Sequence, residues 1–115
     1  MMTRIAVLGE RYFPARHLVW QVIRTLPDGV TLIVPPLQWS ASKTIDGAAA
    51  SRGFAVERMA DFVEQVDAVL LFADADECGG WLWEIVRRMR KRGLHIERYH
   101  SASDPRAPKL QMTMF

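Results

Sequence analysis

From Val66 to Gly93 the chain reads VDAVLLFADADECGGWLWEIVRRMRKRG. An uninterrupted apolar run, Ala68 to Ala73, is bounded by Asp67 and Asp74. A run this short, without alternation, suits a strand covered on both faces, as in a parallel sheet. Asp74 to Gly80 then form an acidic loop that ends in two glycines. The period next becomes helical. Leu82, Ile85, Val86 and Met89 share one face, and Gly93 stands where such a helix stops. Strand, glycine loop and helix make the half-unit that, in open α/β sheets, holds a ligand between strand C-terminus and helix N-terminus.

Toward the N-terminus, Arg4 to Gly9 reads as a first buried strand and Val30 to Val34 as a second, β-branched one. Between them, Ala15 to Leu26 is an amphipathic helix with Leu18, Val19, Val22, Ile23 and Leu26 on its apolar arc. His17, Trp20 and Arg24 fall outside that arc, which leaves a tryptophan facing outward. Pro35-Pro36 stops the second strand, and a helix capped by Ser40 or Ser42 is expected to reach Arg52, with Gly53 just past its end. Ala48 to Ala50 make that helix thin. Phe54 to Glu57 reads as a third strand, Met59 to Gln65 as one or two helical turns, and Leu94 to Tyr99 as a fifth strand. Residues 101–115 form a tail whose alternating end, Leu110 to Phe115, suits an edge strand or an oligomer arm.

Strands alternating with helices at this spacing call for a parallel sheet with right-handed crossovers. The expectation is one α/β domain over residues 1–100: a Rossmann-like three-layer sandwich whose five parallel strands run in the order 3-2-1-4-5. Strands one and four then flank the switch point, so the loops after Gly9 and Ala73 share one crevice.

Composition bounds the function. Half of the 115 residues are hydrophobic and 24% are charged, as in ordinary globular domains. No apolar run approaches the ~20 residues of a membrane helix, and Met1 to Ile5 lead directly into a strand pattern without a secretory signal. A cytoplasmic protein without membrane contact is expected. A net charge of +2 makes nucleic acid an unlikely main partner. The single cysteine and three histidines build no metal cage, so neither metal nor cofactor is expected.

Several residues can carry chemistry. In the turn Gly9-Glu10-Arg11, glycine permits close approach of a ligand and arginine can clamp a phosphate. Thr44 and Asp46 can offer a hydroxyl and a carboxylate to a ribose, or serve as first-turn helix residues that satisfy backbone amides. Asp74, Asp76 and Glu77 can gather a cation, although neighbouring carboxylates usually splay into solvent. Cys78 lacks an obvious histidine partner and reads as inert. Arg87, Arg88, Arg90, Lys91 and Arg92 complement a helix C-terminus, and outward-facing Trp83 beside Arg87 and Arg90 can grip a nucleic-acid backbone.

In this order the features resemble the SLOG superfamily, the Rossmann-like nucleotide-binding group that includes the YspA-like and LOG–DprA families. Gly9-Glu10-Arg11 is similar to that family's glycine-serine-arginine turn. Thr44-Ile45-Asp46 with Ala48 to Ala50 and Gly53 matches its second crossover. Arg58-Met59 ahead of Asp67 matches an arginine-asparagine element, and Gly79-Gly80-Trp81 with Glu84 its glycine-pair loop and downstream glutamate. Pro35-Pro36, Met59 and Trp81 stand where the family has glycines, asparagine and threonine, which marks a degenerate member.

The resemblance implies a site for a nucleotide or nucleotide-derived ligand formed by Gly9, Glu10, Arg11, Thr44, Asp46, Arg58, Asp74, Gly79, Gly80 and Glu84. Binding or sensing is the leading expectation. The alternatives are a non-catalytic oligomeric scaffold and, less favoured, a nucleotide N-glycoside hydrolase using Glu84. Four tryptophans in so small a chain also raise the expectation of a homodimer.

Overall fold

The computed structural model describes residues 3–36, 41–74 and 80–102. The strands are Thr3–Gly9 (β1), Val30–Val34 (β2), Ala55–Arg58 (β3), Ala68–Phe72 (β4) and His95–Tyr99 (β5). The helices are Arg16–Arg24 (α1), Ser42–Arg52 (α2) and Trp81–Lys91 (α3). All strand pairs are parallel, and the sheet runs β3-β2-β1-β4-β5. This is the expected Rossmann-like α/β order.

Burial explains why the apolar runs were unbroken. β2 and β4 are buried at every position and β1 from Ile5 to Leu8, because helices cover both faces of the sheet. On one face Ile5, Val7, Leu32, Val34, Leu70 and Phe72 pack with Leu18, Val19, Val22 and Ile23 of α1 and with Ile45, Ala48 and Ala49 of α2. On the other, Ala6, Leu8, Ile33, Val69 and Leu71 meet Trp83, Ile85, Val86 and Met89 of α3 and a 3-10 turn at Val63–Gln65. Opposite faces for α1 and α3 follow from right-handed crossovers that run in opposite directions along the sheet, β1 to β2 and β4 to β5.

Four local expectations change. Ser42 does not cap α2: Ala41 holds the cap position with no side-chain cap hydrogen bond, and Ser40 lies outside the described residues. The stretch Met59 to Gln65 condenses into the single 3-10 turn. The third strand starts one residue later than expected and includes Arg58. The fourth change concerns the tryptophans. Trp20 is partly buried against the α1–α2 core, lying over Gly47 so closely that an added Cβ there would sit 3.1 Å from its Cζ3. Trp83 is only 3% exposed, with the Arg98 guanidinium 5.2 Å from its ring centroid. A flat arc on a helical wheel underestimates how far a three-layer fold wraps each helix.

Polar ties hold the N-terminal end of the sheet. Arg4 donates from Nη1 to Glu57 Oε2 (3.2 Å) and from Nε to the Gln65 carbonyl (2.8 Å). The Asp67 carboxylate accepts the Arg4 backbone N–H (2.9 Å), and the Asp67 N–H donates back to the Arg4 carbonyl (2.7 Å). That end is closed. The C-terminal end of the sheet carries the loops that follow β1 and β4.

Candidate functional site

β1 and β4 are neighbours in register, Gly9 opposite Phe72, yet their chains depart to opposite faces into α1 and α3. This divergence opens the switch-point crevice at their C-terminal ends.

The turn after β1 is held at both ends. The Glu10 N–H donates to the Phe72 carbonyl (3.0 Å), and the Phe13 N–H closes the turn onto the Glu10 carbonyl (3.2 Å). The Phe13 side chain, 1% exposed, turns into the core and meets Phe72 edge-on at 5.7 Å. Phe72 in turn stacks on Tyr99 at 5.4 Å. Between these anchors Arg11 and Tyr12 are exposed, the guanidinium lying 5.3 Å from the Tyr12 centroid. No carboxylate among the described residues pairs with Arg11.

The acidic residues of the crevice bind backbone. Glu10 Oε1 accepts the N–H of Asp74 at 2.7 Å, and Asp74 Oδ1 accepts the N–H of Ser101 at 2.6 Å. One carboxylate ties the end of β1 to that of β4, and the next ties β4 to β5. The Ala73 N–H donates to the Tyr99 carbonyl (3.1 Å), which reinforces the second tie. The Asp74 carboxyl sits below its ordinary value, chiefly because the Ser101 backbone N–H and then the Ser101 hydroxyl hold its ionised form. Burial opposes this weakly, while His100 and Arg98 add positive charge nearby.

Gly9, Glu10, Arg11 and Asp74 therefore come together as expected. Gly80 precedes α3 at φ +113, a conformation that favours glycine, and its carbonyl accepts the Glu84 N–H at 3.1 Å. Glu84 is exposed in the first turn of α3. Gly79, Asp76, Glu77 and Cys78 lie outside the described residues.

Thr44, Asp46 and Arg58 do not join this cluster. Arg58 ends β3, two strands or about 10 Å from β1, and its Nη2 donates to both Asp46 carboxylate oxygens at 2.8 Å. Asp46 does not cap α2; its carboxylate is paired at the surface with a strand residue that the sequence places twelve positions away.

Sequence reasoning missed Tyr12, Arg98, His100 and Ser101. The signal was the end of the fifth strand. A parallel order with β5 beside β4 must place residues after Tyr99 against those after Phe72. Arg92, read as part of a basic stripe, is occupied with the Val63 carbonyl and with Glu64 at 3.6 Å. Arg87, Arg88, Arg90 and Lys91 remain exposed on α3.

Among the described residues, no group of three or more His, Cys, Asp or Glu is arranged to hold a metal, and no helix is long and apolar enough to cross a membrane. No family model, curated protein or solved structure matches the chain.

Proposed function

We propose that this domain binds or senses a nucleotide or nucleotide-derived anion at the switch point between β1 and β4. One observation carries the reading. The Glu10 and Asp74 carboxylates each accept a backbone amide, while the Arg11 guanidinium stands exposed on a turn fixed at both ends. An exposed guanidinium on a held turn offers a positive charge to an anionic ligand, and arginine's planar fork suits phosphate. The resemblance of the glycine-bearing loops to the SLOG pattern supports the same class of ligand.

The test is a thermal-shift screen of nucleotides with inorganic phosphate as control, on wild type and Arg11→Ala. A ligand that binds only the native state at a hundred times its Kd adds about 2.7 kcal/mol of stability. A rise of several degrees with a nucleotide, lost in Arg11→Ala, is expected. If no nucleotide moves the transition, or the variant responds like wild type, the reading falls.

Binding without turnover is preferred to N-glycoside cleavage because Glu84 stands in solvent, with no hydrogen-bond partner for its carboxylate among the described residues. A general acid has to be held within hydrogen-bond reach of the atom it protonates. Nucleoside monophosphates are expected to stay intact on incubation, and robust hydrolysis abolished by Glu84→Gln would restore the enzyme alternative. The homodimer also stays a proposal: of the residues expected at its interface, His17, Arg24 and Trp81 are exposed, and the tail from Leu110 to Phe115 lies outside the described residues. Light scattering on the full chain tests it.

A further inference from the structure

The net charge of +2 conceals an uneven distribution. Five of the fifteen lysines and arginines fall in the six residues from Arg87 to Arg92, and outside them the chain has ten cations against thirteen carboxylates. The structure turns this surplus toward solvent on α3. Trp83, Ile85, Val86 and Met89 are buried against the sheet, while Arg87, Arg88, Arg90 and Lys91 stand exposed. Because α3 returns the chain from the end of β4 to the start of β5, its cationic C-terminus lies at the N-terminal end of the sheet. That is about 15 Å along the helix axis from Trp81 and the crevice. Glu84 stands in the first turn of α3, and Glu64 engages Arg92 at 3.6 Å.

Helix electrostatics account for only part of this cluster. Cations in a last turn complement the macrodipole, and Arg88, Arg90 and Lys91 hold that turn. Arg87 lies ahead of it. Arg87 with Lys91, and Arg88 with Arg92, also place like charges four residues apart on a helix, a spacing that is destabilising. Among the described residues neither Arg88 nor Lys91 has an ion pair that offsets the repulsion. An anion lying across this face relieves it.

We propose that the exposed side of α3 around Arg87, Arg88, Arg90 and Lys91 docks the phosphate backbone of duplex nucleic acid without regard to sequence. Four of the five clustered cations are arginine, whose planar fork binds phosphate through paired hydrogen bonds. A helix that enters lipid needs a free apolar face, and the apolar face of α3 is taken up by the core. Single strands are held by rings on which bases stack. The exposed large rings among the described residues, Tyr12 and Trp81, are both at the opposite end of the sheet from these cations. The surface is separate from the crevice, so the proposal does not depend on the nucleotide reading.

Fluorescence anisotropy with two short labelled DNA duplexes of unrelated sequence tests this on the full chain. The variants are Arg88→Gln with Lys91→Gln, and, as a control of equal charge loss on the opposite face of the sheet, Arg16→Gln with Arg24→Gln. All four positions are exposed, glutamine keeps helix propensity, and circular dichroism confirms that each variant is folded. Both duplexes should bind alike. Four phosphate contacts predict that wild-type affinity falls about a hundredfold between about 50 and 200 mM salt. With two contacts removed, the α3 variant should bind more weakly at the lower salt and lose only about tenfold over that interval. The α1 variant should keep the wild-type salt dependence. No binding at the lower salt, or equal weakening of both variants, overturns the proposal. So does capture by phosphatidylserine vesicles in preference to either duplex, which would make the partner a lipid surface.

Discussion

Asp74 and Glu10 show how a residue that reads as a ligand contact can instead be a structural tie. Each carboxylate accepts a backbone N–H from a different strand end, and a charged acceptor makes that bond stronger than a neutral one. Asp74 is solvent-exposed, so Asp74→Asn is expected to cost no more than about 1 kcal/mol at neutral pH. The sign of its pH dependence follows from the lowered pKa. The ionised form is favoured in the fold, so the contribution is complete above the ordinary aspartate value of 3.8 and fades as pH falls through the depressed one. Denaturation curves of wild type and variant should converge in acid, and a gap that widens there would contradict the tie. Tyr99 behaves in the opposite sense. Burial, then the charge of Glu97, pushes its phenol above the ordinary value of 10.0. Its neutral form is favoured in the fold, so this stabilisation is lost as pH rises past that value. In a Tyr12→Phe background, near-ultraviolet absorbance should report tyrosinate only as the chain unfolds in base.

At the scale of elements, the contact between α1 and α2 turns on Trp20 and Gly47. Glycine inside a helix costs roughly 1 kcal/mol relative to alanine, and here that cost accompanies room for an indole. Gly47→Ala sets this gain against a Cβ 3.1 Å from Cζ3. Trp20 lies at a partly exposed margin and can shift by a few tenths of an ångström, so the net change should stay within about 0.5 kcal/mol. Gly47→Leu should displace the ring and cost about 1–3 kcal/mol. In a Trp20→Ala background the opposing contact is gone, and Gly47→Ala should stabilise by nearly the full ~1 kcal/mol. If the alanine gain is the same in both backgrounds, the two residues are not coupled. The small residues Gly47 to Ala50 were visible in the chain, and so was Trp20. That they face one another was not, because a helical wheel shows which residues share a side and leaves the neighbouring helix undefined.

Across the whole molecule, the two halves of the sheet meet at the aromatic column Phe13, Phe72 and Tyr99, all within 1% exposure. Phe72→Ala should cost about 3–5 kcal/mol, a large share of the ~5–15 kcal/mol that holds a domain of this kind. Urea denaturation measures it, and a loss below about 1 kcal/mol would show that the column is not the hinge of the core. Alternation of strand and helix, the parallel sheet and the place of the crevice were all legible in the chain itself. They arise from short-range rules: backbone period, glycine and proline punctuation, and the handedness of crossovers. The partners of the polar residues were decided only by the tertiary structure. Glu10 meets Asp74, Arg58 meets Asp46 and Arg98 covers Trp83. These pairings depend on strand register and helix position, and a shift of one residue in either strand would send the side chains to opposite faces. A local pattern carries the period of an element, and the register between elements exists only once the core has packed.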